Sequence, residues 1–159
     1  MDNLRIDQSH CNYYLTRWIE LQGGVILFKD AGRVTRGGMG NQGRLLNIFE
    51  SNGLPIPDIV ALLYDDLFII EIDTNIKKAS KSLIKYETFK PLLDRKISSE
   101  INGINFKRLN LAFCFTGLKT EDFIKSLLLS KEIPCEYLFA FTAPRMPLLI
   151  DLRSGPLEN

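Results

Sequence analysis

Histidine and cysteine are scarce: the chain has one histidine, His10, and three cysteines, Cys11, Cys114 and Cys135, far apart. A lone histidine makes no catalytic triad. The cysteines show neither a zinc-ligand spacing nor the even count of a disulfide framework. Cys114, inside the apolar run LNLAFCFTG, is expected as a small core residue. No GxxxxGK[ST] pattern is present, so a phosphate-binding P-loop is not supported. No apolar run reaches the ~18 residues of a membrane span, and the opening MDNLRIDQSH lacks the apolar segment of a signal peptide. A cytoplasmic protein without a membrane partner is the expectation. The net charge is only +1, so no global basic field points to nucleic acid, and local clusters have to carry that argument. Internal repeats and low-complexity segments are also missing.

The 159 residues, 45% hydrophobic and 25% charged, suit one globular domain over 1–153 followed by a flexible tail, 154–159. Residues 9–22 read as a helix with Tyr14, Trp18 and Leu21 as its apolar stripe and Gly23-Gly24 as its stop. Residues 25–29 read as a strand, 30–43 as a glycine-rich loop, and 44–51 as a short helix. A hairpin follows, DIVALLY and LFIIEID with Asp65-Asp66 as the turn. A helix is expected over 75–94, a polar connection over 98–108, a strand over 109–117 and a helix over 120–131. Strands at 136–142 and 146–152 complete the order. The expected class is α/β, a mixed sheet with helices on its faces.

The hairpin carries an anomaly. In PDIVALLYDDLFIIEID, residues 57–73, Asp58, Glu71 and Asp73 interrupt apolar strands with no Lys, Arg or His among them. With Asp65-Asp66 as a two-residue turn, Tyr64 pairs with Leu67 and Asp58 with Asp73. Glu71, two residues before Asp73, then shares their face. Grouped carboxylates repel one another, and Mg²⁺ or Mn²⁺ relieves the repulsion, because hard cations choose carboxylate oxygens. The structural alternative is that Asp58 caps a turn and Asp73 caps the next helix. It leaves Glu71, flanked by Ile69-Ile70 and Ile72, without a role.

Pro57-Asp58 on one strand and Glu71-Ile72-Asp73 on the next resemble the signature of the PD-(D/E)xK nuclease superfamily. The order helix, strand, hairpin, helix, strand, helix, strand over roughly residues 10–142 is similar too. NQGRLLNIFESNGLPIPDI is similar to the approach to the Pro-Asp in VRR-NUC and Holliday-junction-resolvase-like members. The Glu-x-Asp strand with a following Lys-Tyr helix resembles replication-relaxation proteins. The resemblance implies a restriction-endonuclease-like three-layer α-β-α fold. It also implies a DNA endonuclease with Mg²⁺ (or Mn²⁺) held by Asp58 and Glu71, with the Ile72 carbonyl, and Asp73 as a third ligand or water-orienting group. The family's lysine is replaced by Asp73. Lys85, in ASKSLIKYETF, is the candidate to reach back in its stead, and Glu20 the candidate acid from the first helix.

For the DNA substrate, Arg33, Arg36 and Arg44 surround a loop with five glycines between residues 32 and 43, and Lys78 and Lys81 share a helix face with Lys85. Arginines bind phosphate bidentately and glycines admit close backbone approach. The plain alternative is a solvated basic surface. Arg17 and Lys29 extend the cationic rim. The resemblance and the chain's small size leave room for a homodimer or a larger protein partner, since single-domain nucleases commonly need two sites for two strands. If Lys85 cannot reach the acids, the alternative is a catalytically inactive DNA-binding or assembly subunit. A third reading is a protein-interaction module using strands such as FCF and LFAF.

Overall fold

A computed structural model of the chain describes residues 8–30, 40–116, 132–143 and 145–153. Arg33, Arg36, the helix expected at 120–131 and the tail at 154–159 lie outside them. The described elements, in chain order, are α1 (Gln8–Leu21), β1 (Val25–Lys29), α2 (Asn41–Ser51), β2 (Ile59–Leu63), β3 (Asp66–Asp73), α3 (Ile76–Thr88), α4 (Lys90–Glu100), β4 (Leu109–Phe115), β5 (Tyr137–Ala143) and β6 (Met146–Asp151). The class is mixed α/β, as expected. The six strands form one open sheet in the order β1-β2-β3-β4-β5-β6. The pairs β3/β4 and β4/β5 are parallel and the others antiparallel. Among the described residues no helix is long and apolar enough to cross a membrane.

Strand alternation divides the core. Leu67 and Ile69 of β3, with Leu109, Leu111 and Phe113 of β4, pack against α2, α3 and α4. Phe68, Ile70 and Ile72, with Ala112 and Cys114, pack against α1. Successive strand side chains take opposite faces, so Glu71 and Asp73 belong to the α3 side. Cys114 is fully buried, as expected.

The structure corrects several expected boundaries. The apolar stripe of α1 is Cys11, Leu15 and Ile19, with Asn12 and Thr16 buried beside it, while Leu21 is 77% exposed. Trp18 still meets the sheet, edge-on to Phe139 at 5.9 Å. Gly23 and Gly24 do end the helix: their N–H groups reach back to the Glu20 and Ile19 carbonyls, the paired hydrogen bonds of a Schellman cap. A Cβ on Gly24 would lie 2.6 Å from the Leu62 carbonyl oxygen, so glycine lets α1 hand over to β1 against β2. The expected helix at 75–94 is two helices with a break at Phe89. Pro91 sits in the first turn of α4, where it has no N–H to give and its ring blocks continuation of the preceding turn.

The hairpin turn is Tyr64-Asp65, not Asp65-Asp66. Both residues have positive φ, 51° and 69°, the requirement of a type I′ turn. The ladder pairs Leu63 with Asp66 and Ile59 with Ile70. Continued by one residue, it sets Asp58 against Glu71 instead of Asp73. The shift along β3 is two residues, an even number, so the face of every side chain is unchanged.

Candidate functional site

The acids gather where β2 begins and β3 ends. Asp58 stands one residue before β2, where the chain leaves the sheet. The N–H of Ile72 donates to its Oδ2 at 2.7 Å. Its own carbonyl accepts the Asp30 N–H at 2.9 Å and the Asn12 side-chain amide at 3.5 Å. Asp58 is thereby tied to β3, to the end of β1 and to α1. Glu71 Oε2 lies 3.0 Å from the hydroxyl of Tyr86, a buried residue of α3. The same hydroxyl is 2.9 Å from the Pro55 carbonyl, in the connection leading to Asp58. Asp73 Oδ1 accepts the Asn75 N–H at 2.9 Å. The Asn75 side chain in turn caps α3 by accepting from Lys77 and Lys78.

Among the described residues the charges at the site are acidic. Loss of solvent raises Asp58 to about 6, the Ile72 N–H opposing and the charges of Asp30 and Asp73 adding to the rise. Loss of solvent raises Glu71 further, to about 8. Asp58 is the next contributor, the Tyr86 hydroxyl opposes, and Asp73 and Asp30 add. Burial and the neighbouring Glu71 push Tyr86 up as well. Burial and the neighbouring acids thus favour the protonated form of Glu71. A nearby cation would favour the ionised form.

The structure brings Asp58, Glu71 and Asp73 within electrostatic reach of one another on one face. It does not bring Glu20 to them. Glu20 is exposed near the C-terminus of α1, about three turns from the end that meets the acids. That end offers amides: Asn12 at Asp58, and Gln8, whose side chain donates to the Ile72 carbonyl expected as a metal ligand. Lys85 is exposed on α3, and among the described residues the charges acting on Glu71 are acidic. Lys78 and Lys81 are likewise exposed on α3. Arg44 is exposed on α2, its guanidinium 3.5 Å from Asn41 Oδ1.

Sequence reasoning missed Asp30, Tyr86, Gln8 and Asn12. Asp30 enters through the pairing of Lys29 with Ile59, a contact invisible before the β1–β2 register is known. Gln8, Asn12 and Thr16 recur at i, i+4, i+8, a polar line beside the buried stripe. That spacing was the available signal.

Among the described residues no group of three or more His, Cys, Asp and Glu side chains is drawn together to hold a metal ion as it stands. The donor set suits a hard cation in chemistry, being carboxylates on one face. Backbone N–H groups hold one oxygen of Asp58 and one of Asp73, and Tyr86 faces one oxygen of Glu71, leaving the second oxygen of each as a prospective ligand. Ligation would need the side chains to close on the ion. Just beyond β4, Thr116 Oγ1 is buried without a hydrogen-bond partner among the described residues, next to the Asp73 carbonyl that its N–H approaches at 3.4 Å. Comparison with known proteins adds no relative: no family model, no curated protein and no solved structure matches this chain.

Proposed function

We propose that this chain is a divalent-metal-dependent DNA endonuclease that hydrolyses phosphodiester bonds, built on a restriction-endonuclease-like three-layer arrangement. One observation carries the reading. At the carboxyl end of β3 the charges of Asp30 and Asp73 act on Asp58 and those of Asp30, Asp58 and Asp73 act on Glu71, and burial raises Asp58 and Glu71. Unrelieved, such a cluster is a liability to the fold. Carboxyl ends of strands in open α/β sheets are also where ligands bind.

Asp58 and Glu71 would hold Mg²⁺ or Mn²⁺, with Asp73 or Asp30 completing the set. When bound, the ion lowers the pKa of a coordinated water and offsets charge on the scissile phosphate. Asp58 is already fixed by the Ile72 N–H, so its second oxygen is the ligand on offer. Lys78, Lys81 and Lys85, exposed along α3 directly after Asp73, and Arg44 on α2 supply cations for backbone phosphates. Two copies, or a larger protein partner, would supply the second site that double-strand cleavage needs.

A second reading is favoured by Asp73, which stands in place of the family's lysine and turns one oxygen to the Asn75 N–H. It is a DNA-binding or assembly subunit without activity. A plasmid-nicking assay with Mg²⁺ or Mn²⁺ separates the two. The nuclease reading expects cleavage that chelation stops and that Asp58→Ala and Glu71→Ala each abolish without loss of fold. Cleavage retained by both variants sinks it. Salt-sensitive DNA binding with no metal-dependent cleavage by the wild type leaves the second reading.

A further inference from the structure

The hydroxyl of Tyr86 touches both arms of the acid site. The residue is fully buried, and its ring packs edge-on against Phe49 at 5.7 Å. Satisfying a buried tyrosine needs only one acceptor. Here the oxygen lies 3.0 Å from Glu71 Oε2 and 2.9 Å from the Pro55 carbonyl. Glu71 belongs to β3, whereas Pro55 belongs to the extended connection delivering Asp58. One atom of α3 therefore spans the strand that carries one acid and the segment that carries the other. Asp58 is secured by backbone groups of its neighbours; Glu71, on a longer side chain, has Tyr86. With Oε2 engaged, Oε1 is the oxygen left for a ligand. Metal-ligating carboxylates are commonly oriented by such outer hydrogen bonds.

We propose that Tyr86 is a positioning residue of the acid site, its hydroxyl setting Glu71 and the Pro55–Asp58 segment at a fixed separation for shared ligation of one divalent cation. The proposal rests on the metal reading given above. It predicts a defect in ion affinity, which a tyrosine that merely fills the core would not produce.

The test is Mn²⁺ alone, titrated calorimetrically into the full-length wild type and variants at a temperature where each is folded. Tyr86→Phe keeps the ring and removes the hydroxyl. It should keep its near-ultraviolet circular dichroism and bind Mn²⁺ about 10- to 100-fold more weakly. A variant with 4-aminophenylalanine at position 86, which restores a donor at the ring's tip, should recover most of that affinity. Wild-type affinity in folded Tyr86→Phe overturns the proposal and leaves the metal reading standing. If Tyr86→Phe fails to fold, the aminophenylalanine variant decides. Near-wild-type affinity supports the positioning role, and a native fold that has lost about tenfold or more overturns it. A wild type that binds no Mn²⁺ overturns the metal reading and this inference with it, an outcome recognisable without any variant.

Discussion

Two glutamates face the same helical layer from opposite ends of the sheet, and their surroundings differ in sign. Glu136, before β5, accepts the Leu111 N–H at 2.6 Å through Oε1 and pairs with Lys90 Nζ at 2.7 Å through Oε2. Glu71, near the end of β3, meets a tyrosine hydroxyl and three other acids. The open groove of about 640 Å³ beside Glu136 continues the balance, with Lys90, Lys107, Arg108 and Arg153 set against Glu87, Asp94 and Glu136. An acid whose every oxygen is matched within the fold is a structural lock. An acid held beside other acids keeps a cost that an external cation can remove, and perturbed groups of that kind mark functional sites. Among the described residues, the acid at one end of the sheet is paired with a cation, and the acids at the other end stand beside one another.

The largest effect that can break this contrast is the response of stability to pH with divalent ions chelated. Asp58 and Glu71 rise from 3.8 to about 6 and from 4.5 to about 8. The native state therefore binds more protons than the unfolded chain within those windows. Their contribution is fully present below the unfolded values and is lost as pH climbs through the native ones. For Glu71 the loss between pH 4.5 and 8 is on the order of 4 kcal/mol, at about 1.4 kcal/mol per unit. Urea unfolding of wild type and Glu71→Gln at pH 5 and pH 8 measures it. The variant should gain on the wild type as pH rises, and a constant difference would erase the contrast. Saturating Mg²⁺ at pH 8 should narrow the gap, because an ion bound only by the folded wild type stabilises it.

A smaller effect tests the other end. Glu136→Ala removes the partner of Lys90, whose side chain is 25% exposed, and the acceptor of a backbone N–H. The expected loss is about 2 kcal/mol in chemical unfolding. Glu136→Gln, which keeps an acceptor for Leu111, should lose roughly half of that. If Glu136→Gln costs no more at pH 8 than Glu71→Gln, the two acids are not of different kinds.

How far this was legible in the sequence depended on the range of the interaction. The acid trio could be read because alternation along β2 and β3 is local and the apolar background made Asp58, Glu71 and Asp73 conspicuous. Tyr86 could be read as a core residue of α3, but its hydroxyl's two acceptors lie 15 and 31 residues away, and nothing in a helical period reveals them. Asp30 joins through a β1–β2 pairing that no local pattern encodes. On α1 the stripe that periodicity predicts, Tyr14, Trp18 and Leu21, lies one face away from the buried one. Asn12 and Thr16 look solvent-seeking, yet both are buried, Thr16 Oγ1 lying 3.5 Å from Asn12 Oδ1 and the Asn12 amide reaching the Asp58 carbonyl. Helical periodicity also gives no sense of which end of α1 meets the sheet's carboxyl end, so it cannot tell that Glu20 lies at the other end. At Phe89 a long apolar pattern outweighed Pro91, the residue that splits the helix.

The smallest effect concerns the turn, where the register that aligns the acids is set. Asp65-Asp66 has the composition of a turn, yet Tyr64 and Asp65 take the positive φ values. Asp66 instead begins β3 as a buried residue, its Oδ2 accepting the Asn110 side-chain amide at 2.9 Å. That bond accounts for the displacement, since an Asp66 in the turn would forfeit it. Left-handed geometry strains an aromatic residue more than an aspartate, and glycine least. Asp65→Gly supplies the residue preferred at the second turn position. It loses only an exposed contact with Lys107 at 3.9 Å, which is worth little. A gain of about 0.5 kcal/mol in urea unfolding is expected, with the Glu71→Gln pH difference unchanged. That independence would separate backbone strain at the turn from charge repulsion at the far end of the hairpin. A pH difference that moved with the turn variant would mean that the register, and with it the pairing of Asp58 and Glu71, is not held by the ladder between them.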